Sequence, residues 1–509
     1  MRAVGPVASS SVAPDPDATE VAESQHVAAE PSVGELVDDR QPQPGLTALG
    51  WIAAGLVALI ACRPLRDNSF LTHLATGREL LDHGFPTSNP FLFTGGDFPI
   101  PSWWWSGALV VAERVGGGAA IRVLMVVLGA LLGASFVALS RPERRAPASE
   151  VPTLVSVAVP VGLAVFVMLP YMTPRPHVAG FLMLAAVVIV WRDDRSPWWM
   201  VPLFATWVNV HGTWLYGLAI LVIFSACASI EHRSWRRWYP VATAVVGVAV
   251  GGIWYPERFR LVGLPFEQFG DDRAREAIAS YKEWQPAGFG HPLTWIVLGL
   301  GAAALLAVVR QRRWPSALAV VVLVGLGLSA GRLLPIATIS LLPWAGQTFR
   351  TLGGPGLNAR RPAVAGQVIG IGLVVLAVVL AVRGPAYDLE RYPVAAVDWL
   401  EARGLVASAP VRVVAPDDVG NYLDWRYGTR AHAFVDDRPS VDALLDHRSL
   451  SRLRDDWPQV LDRIDPDVVV WPTAKPLTAQ LDERSGWTRA ATIGDVAVFC
   501  RDRIAARCT

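Results

Sequence analysis

The sequence predicts a polytopic α-helical membrane protein that ends in a C-terminal extracytoplasmic α/β domain. Of its 509 residues, 52% are hydrophobic and only 17% are charged, whereas soluble proteins carry about 25% charged residues. The apolar residues are gathered in blocks close to the roughly 20 residues that cross a bilayer. Residues 383–509 instead alternate short β-branched runs with helical stretches, which is typical of a small α/β domain.

Charge and cysteine content exclude two classes of protein. The chain has 45 basic and 44 acidic residues, a net charge of +1, and a nucleic-acid-binding protein needs a basic surface. Two of the four cysteines, Cys62 and Cys227, lie inside apolar blocks, which excludes a disulfide scaffold. Cys500 and Cys508 are close enough in sequence to pair, but their position near the terminus favours free thiols.

The N-terminal segment, residues 1–45, is rich in Ala, Pro, Ser and acidic residues and has no apolar period. This composition predicts a disordered cytoplasmic tail. The first apolar run begins near Leu46 and has no basic segment before it. We therefore expect a retained membrane span there and no cleaved signal peptide.

Residues 46–382 are predicted to form the transmembrane domain, with about eleven spans. Each predicted span is an apolar stretch bounded by charged, Gly or Pro residues. Their approximate positions are 46–62, 119–140, 152–170, 177–191, 198–210, 212–230, 240–254, 293–309, 316–330, 333–346 and 363–382.

The arginines predict the orientation, because short cytoplasmic loops retain positive charge. Five alternate loops carry arginine clusters and fall on one side if the N-terminus is cytoplasmic. The large first loop, residues 63–118, and residues 383–509 are then extracytoplasmic, and the chain is a multi-pass protein of the inner (plasma) membrane. The clustered arginines are Arg141, Arg144, Arg145, Arg192, Arg195, Arg233, Arg236, Arg237, Arg310, Arg312, Arg313, Arg360 and Arg361.

The C-terminal domain shows recognisable elements. PVAAVDWLEARG predicts an amphipathic helix, and VRVVAP, AHAFVDD and DVVVWP predict short strands. DALLDHRSLSRL and TAQLDERSGW predict helices between strands, and RAATIGDVAVFCR predicts a closing hairpin. Alternating β and α elements lead us to expect a mostly parallel sheet.

The first external loop is the most informative stretch for function. Helical spacing from Asp67 to Leu81 places Asp67 at the start of a helix, where the helix dipole stabilises a carboxylate. Asp67 is therefore either a functional carboxylate or only an N-cap. His73 and Arg78 follow on the same helix, and Trp103 to Trp105 suit a membrane–water boundary.

Further polar residues lie at the outer ends of predicted spans. Asn209 and His211 interrupt two apolar runs in WVNVHG, where polar groups either cap a helical hairpin or line a substrate cavity. Arg175 and Arg332 oppose the orientation bias. They either reach lipid headgroups or bind a phosphate, which arginine binds in bidentate fashion.

No cofactor is expected. Asp271 and Asp272 form an acidic pair that suits a divalent cation, but a solvated loop is the favoured explanation. No Walker A, HExxH or paired CxxC motif is present in the sequence, so no metal site is predicted.

Several motifs together resemble one family. They match, in order, the first external loop and later segments of bacterial GT-C-type membrane glycosyltransferases, the dolichyl-phosphate-mannose and RgtA/B/C/D-like relatives. The resemblance covers about residues 46–502. It rests on DNSFLTHLATG from Asp67, on Gly84, Pro86, NPF from Asn89 and Trp103, on RP at Arg175, NVHG at Asn209, WYP at Trp254, EW at Glu283 and RLLP at Arg332, and in the tail on PVAAVDWL, GNYL and VDDR.

The resemblance implies a GT-C-like fold, a polyprenyl-phosphate-linked sugar donor and an extracytoplasmic glycan, lipid or protein acceptor. It implies that Asp67 is the catalytic acid of the first loop, as general base or substrate orienter. Arg332 and Arg175 would hold the lipid phosphate. The chain departs from the family pattern at Asn68, where many members have a second acid, and at Thr72, where Trp is usual.

The same resemblance implies further substrate contacts in the cavity from His73, Arg78, Asn209 and His211. Two other functions remain open. One is a non-catalytic transporter or flippase of a lipid-linked substrate, which would use the same outward arginines. The other is a degenerate GT-C scaffold whose tail binds a partner, for example at Asp436, Asp437 and Arg438.

Overall fold

We analysed a computed structural model of the chain. It describes residues 44–141, 154–278, 281–352, 360–406, 411–438 and 440–509. The predicted disordered tail thus lies outside the described residues, apart from its last two positions.

The membrane region is almost entirely helical. Eleven of its helices coincide with the eleven predicted spans. The helices are α1 (Pro44–Ala61), α2 (Asn68–His83), α3 (Trp103–Ser140), α4 (Leu154–Met168), α5 (His177–Arg192), α6 (Met200–Val210), α7 (Trp214–His232), α8 (Tyr239–Trp254), α9 (Arg260–Gly270), α10 (Asp272–Ile278), α11 (Pro292–Arg310), α12 (Trp314–Ser329), α13 (Leu334–Leu352) and α14 (Arg360–Arg383).

Five of the described helices are long and apolar enough to cross a membrane. They are α1, α3, α7, α11 and the Ala363–Arg383 part of α14. Shorter apolar helices lie within α4, α5 and α12. The protein is therefore a multi-pass membrane protein with several apolar helices.

Helices α1, α3 and α14 pack closely because glycines line their contacts. A Cβ at Gly133 would overlap the Ala53 carbonyl, and one at Gly370 would overlap the Trp51 backbone. At the C-terminal ends of α1 and α14, the buried Arg122 side chain donates hydrogen bonds to four backbone carbonyl oxygens. Its acceptors are Cys62, Ala381, Gly384 and Pro385, at 2.5–3.0 Å.

The first external loop is folded against the helices. Its helix α2 packs on the first part of α3, where a Cβ at Gly77 would overlap the Ser106 carbonyl. Helix α3 is kinked at Gly116 and Gly117, and Gly117 has a φ of +62°, which glycine adopts without strain. The kink divides the loop part of α3 from the apolar part at the predicted start of the span.

The C-terminal region combines helices with one five-stranded sheet. The strand order is β2-β1-β3-β5-β4. The elements are α15 (Val394–Ala402), β1 (Arg412–Val414), α16 (Asp417–Tyr427), β2 (His432–Ala433), α17 (Val441–Arg452), α18 (Trp457–Ile464), β3 (Val468–Pro472), α19 (Pro476–Glu483), β4 (Trp487–Ile493), β5 (Val496–Arg501) and α20 (Ala505–Cys508).

The prediction of a mostly parallel sheet is wrong. β1 pairs in parallel with β2 and β3, but β5 runs antiparallel to both β3 and β4. The predicted closing hairpin is present as β4 and β5. Its tight turn makes β4 and β5 antiparallel, and β5 then docks antiparallel on β3. A disulfide joins Cys500 in β5 to Cys508 in α20, so the expectation of free thiols is wrong: the folding of α20 onto β5 brings the two side chains together.

The C-terminal region contacts the first external loop directly. Helix α16 packs on α2, and the Thr72 hydroxyl donates to Asn421 Oδ1 at 2.6 Å. A Cβ at Gly420 would overlap the Val435 carbonyl oxygen, so α16 lies directly against the segment that follows β2. These contacts place that segment, residues 434–438, over the start of α2.

Candidate active site

Asp67 occupies the N-cap position of α2 but does not cap the helix. Its side chain makes no hydrogen bond to the first-turn amides. Instead, its Oδ1 accepts a hydrogen bond from Arg175 Nε at 2.7 Å, and only 12% of the Asp67 side chain is exposed. Asp67 thus stands at the N-cap position, but its carboxylate forms an ion pair with a residue that is distant in sequence.

A second carboxylate lies between Arg175 and Arg332. Glu283 accepts from Arg175 at 3.3 Å through one oxygen and from Arg332 at 3.5 Å through the other. The Arg332 guanidinium lies over the Trp284 ring, 4.1 Å from its centre, in a cation–π contact. The predicted residues Asp67, Arg175 and Arg332 are thus joined through one ion-pair network.

Asp437 adds a third carboxylate from the C-terminal region. It hydrogen-bonds with Ser69 in the first turn of α2 and interacts with the charge of Arg175. Burial alone would lower the pKa of the Arg175 guanidinium, but Asp67, Asp437 and Glu283 outweigh burial and raise it. Three carboxylates therefore surround this one arginine.

Histidines line the same region. His73 Nδ1 lies 2.9 Å from the Ser106 hydroxyl, and His211 Nδ1 lies 2.8 Å from the Thr213 hydroxyl. Burial lowers the pKa of His73 to about 3, helped by the charges of Arg438 and Arg175. His73 is therefore neutral at physiological pH and can donate or accept a hydrogen bond without adding charge.

Two predicted site residues are engaged outside this network. Arg78 forms a bidentate ion pair with Glu113 at 2.6 and 3.0 Å and donates to the Trp425 carbonyl. Asn209 is fully buried and accepts from the Trp103 indole at 2.7 Å. The Asn209 amide also donates to two backbone carbonyls, of Ala205 and Gly251.

Buried ionic side chains flank Asp437. Arg438 donates to Asp436 Oδ2 at 2.6 Å and also reaches Thr76 on α2. Asp424 and Asp436 are both fully buried. Burial, together with the charge of Asp436, raises the pKa of Asp424 well above its usual range, whereas the charge of Arg438 opposes the shift.

The acidic pair Asp271 and Asp272 has protein partners. Asp271 Oδ1 accepts from the Arg273 amide at 2.8 Å, and Asp272 pairs with Arg275. Across the described part of the chain, no group of three or more His, Cys, Asp or Glu side chains is arranged to hold a metal ion.

The sequence did not identify every polar group of the site. Asp437 was considered only as part of a partner surface, and His177, whose ring centre is 6.4 Å from that of His211, was not considered. The RPH spacing, which puts His177 two residues after Arg175, is the signal that could have found it. The position of Asp437 depends on the docking of two distant segments, which no local pattern encodes.

Comparison with solved structures shows which fold the chain has. No protein-family model and no curated protein matches the sequence. The structure is similar to ArnT from Cupriavidus metallidurans in the apo state, with a TM-score of 0.50 and 16% identity, covering 88% of this chain and 96% of that chain. The chain has a GT-C-like fold.

A second solved structure gives a weaker match. The Archaeoglobus fulgidus oligosaccharyltransferase, solved with Zn and sulfate, has a TM-score of 0.49 and 12% identity over 83% of this chain and 68% of that chain. The resemblance to GT-C enzymes inferred from motifs is confirmed for the fold. The substrate, the acceptor and the roles of individual residues are proposals.

Proposed function

We propose that the protein transfers a sugar from a polyprenyl-phosphate-linked donor to an extracytoplasmic acceptor of the cell envelope. The observation that carries this proposal is the ion-pair network joining Asp67, Arg175, Glu283 and Arg332. It combines an acid with two guanidinium groups, as transfer from a lipid phosphate requires. GT-C enzymes use such donors, so the fold and the site support the same reaction.

The proposal includes a topology. We assign membrane spans to all eleven helices that coincide with predicted spans, with the arginine-rich loops in the cytoplasm. The site and residues 383–509 then lie on the extracytoplasmic side. This assignment puts the network where a lipid-linked sugar in the outer leaflet can reach it.

The two arginines have the chemistry to hold the leaving group. A departing lipid phosphate carries negative charge and needs cationic stabilisation, which guanidinium groups give through charge-assisted hydrogen bonds. Glu283 occupies the space between Arg175 and Arg332. We assign this space to the donor phosphate, which would replace Glu283 as the anion there.

The remaining predicted residues have supporting roles in this proposal. Asp67 is the acidic residue of the first loop, and neutral His73 and His211 supply hydrogen bonds to substrate. Arg78 and Asn209 act indirectly, because their side chains hold α2 and α6 against their neighbours. They keep the walls of the site in place.

Sugar transfer by the purified protein in lipid nanodiscs tests the proposal. A panel of polyprenyl-phosphate-linked sugars would be offered with envelope acceptors, and sugar-bearing product and free polyprenyl phosphate measured together. We expect equal amounts of both products from the wild type and less than 1% of that rate from Asp67→Asn. Asp82→Asn changes an exposed carboxylate of the same helix and should keep the wild-type rate.

Two results would contradict the proposal. One is transfer that is unchanged in Asp67→Asn and in the double variant Arg175→Gln/Arg332→Gln. The other is movement of a labelled polyprenyl-linked lipid between leaflets of proteoliposomes with no sugar released, which would favour the transporter alternative.

A further inference from the structure

Asp437 reaches the site on the segment that follows β2 in the C-terminal region. Its backbone amide donates to Asn421 Oδ1 at 2.8 Å, and the same oxygen accepts from Thr72 on α2. One amide side chain thus ties the Asp437 backbone to the first external loop. The carboxylate is held in turn by Ser69, in the first turn of α2.

The neighbouring residue fixes the segment on the other side. Arg438 is bound to Asp436 by its backbone amide and by its guanidinium, at 2.6–3.0 Å, and reaches Thr76 one turn further along α2. Its guanidinium also lies 5.0 and 4.9 Å from the ring centres of Phe91 and Phe98. Asp437 is therefore held between two anchored residues, at the end of α2 that carries Asp67.

Asp67 and Asp437 face the same guanidinium in different ways. Asp67 is committed to Arg175 by a 2.7 Å ion pair. Asp437 interacts with Arg175 through charge, while its hydrogen-bond partner is the neutral Ser69 hydroxyl. A carboxylate oxygen held in a close ion pair is less available to an incoming hydroxyl than one whose hydrogen-bond partner is a neutral side chain.

The surroundings of Asp437 strengthen its basicity. Burial raises the pKa of Asp437 to about 6, against the opposing effects of Arg175 and Ser69. A carboxylate with this pKa is mostly ionised at pH 7 and remains basic enough to take a proton. The titratable and charged groups facing it are Arg175, Arg332, Tyr281, Asp436 and Asp417.

Resting on the proposed sugar transfer, we infer that Asp437 accepts the proton of the attacking acceptor hydroxyl, whereas Asp67 orients Arg175. The acceptor oxygen forms a bond to the anomeric carbon as the bond from that carbon to the phosphate oxygen breaks. The electron pair of the broken bond stays on the lipid phosphate, held by Arg175 and Arg332. The hydroxyl proton passes to the Asp437 carboxylate and is later released to water.

The assignment gives the C-terminal region a part in catalysis. The catalytic carboxylate comes from the segment after β2, and the sugar-phosphate site from the membrane helices and first loop. The reaction therefore depends on the contact between α16 and α2. Asp437 would also supply the second acid that many members of the resembled family carry at the position of Asn68, because it reaches the site from a distant part of the chain.

The pH dependence of transfer separates the two carboxylates. In nanodiscs, with the donor on which the wild type is most active, kcat/KM should rise tenfold per pH unit below about pH 6 and level off above it. Asp437→Asn should lower kcat at least 100-fold and leave the donor KM within threefold. Asp437→Glu should recover part of the rate, and Asp67→Asn should be slow but keep the rise near pH 6.

Controls keep the outcomes distinct. Asp442→Asn changes a 73% exposed carboxylate five residues away and should match the wild type. Undecaprenyl phosphate binding, followed by native mass spectrometry, should be unchanged in Asp437→Asn, which shows that the variant is folded. Transfer at the wild-type rate by Asp437→Asn, or a pH rise lost only in Asp67→Asn, overturns the inference alone. Absence of transfer by the wild type overturns the proposed function and the inference together.

Discussion

Asp67 Oδ1 and Arg175 Nε are 2.7 Å apart although 108 residues separate them in the chain. The pair joins the start of α2, in the first external loop, to the segment between α4 and α5. Because the Asp67 side chain accepts no capping hydrogen bond from its own helix, the residue is explained by this contact and not by helix capping. The pair also points the Arg175 side chain toward Glu283 and Arg332.

Removal of the Arg175 charge should weaken binding of a lipid phosphate. Arg175→Gln loses one of two guanidinium groups, and a charge-assisted hydrogen bond contributes about 1.5–3 kcal/mol. We expect the Kd for undecaprenyl phosphate in nanodiscs to rise at least tenfold. Arg114→Gln alters an exposed ion pair on α3 and serves as the control. Equal affinity in both variants would remove Arg175 from the phosphate site.

Neutralisation of Glu283 should have the opposite effect. Its carboxylate competes with a phosphate for Arg175 and Arg332, so Glu283→Gln should bind undecaprenyl phosphate several-fold more tightly. Native mass spectrometry with increasing undecaprenyl phosphate provides the measurement. Glu257→Gln, which changes another exposed carboxylate, should have no effect. Weaker binding in Glu283→Gln would mean that Glu283 itself holds the ligand.

Arg122 is predicted to be a stability residue without a part in the reaction. Arg122→Leu leaves four backbone carbonyl oxygens at the ends of α1 and α14 without their donor. A buried acceptor left without its hydrogen bond costs about 1–3 kcal/mol, so the melting temperature in detergent should fall by several degrees. Arg114→Leu should change it little, because exposed ion pairs contribute about 0–1 kcal/mol. A stable Arg122→Leu protein would show that water replaces the lost donors.

Asp437 is predicted to reduce stability at neutral pH. Its pKa of about 6 in the folded protein exceeds the value of about 3.9 for a free Asp, so the folded state binds the proton more tightly. Its contribution to stability is fully present below about pH 4 and is lost as the pH rises through 6. A gap of about two pKa units corresponds to roughly 3 kcal/mol.

The melting temperature of Asp437→Asn tests this effect. The variant should melt above the wild type at pH 7.5, and the difference should shrink at pH 5. Asp442→Asn is the matched exposed control. A variant that is less stable than the wild type at pH 7.5 would assign Asp437 a structural role through Arg175.

The sequence predicted the parts of the fold that depend on local pattern. Apolar blocks located the helices of the membrane region, since each block is long enough to form a helix whatever it packs against. The segment RAATIGDVAVFCR, residues 489–501, likewise predicted the hairpin of β4 and β5. Sheet order was missed because β1 and β2 are only three and two residues long, and pairing between distant strands leaves no local pattern.

The same distinction applies to the site. The sequence singles out Asp67, Arg175 and Arg332 because each interrupts an apolar or helical pattern, and their roles in a site stay predictions. Asp437 could not be found that way, because its role depends on the contact of Asn421 with Thr72, 349 residues apart. Arg78 also lies on the helix that the spacing predicts, yet its guanidinium is ion-paired with Glu113. Spacing gives the helix face of a side chain but not its partner.

The structure of the protein in nanodiscs with undecaprenyl phosphate tests the central claim most directly. We predict phosphate density between Arg175 and Arg332, with Glu283 displaced and Asp67 still paired with Arg175. The polyprenyl chain should extend along the membrane helices from the same side as α2. Phosphate density at any other position, with the contacts of Glu283 to both arginines intact, would contradict the account.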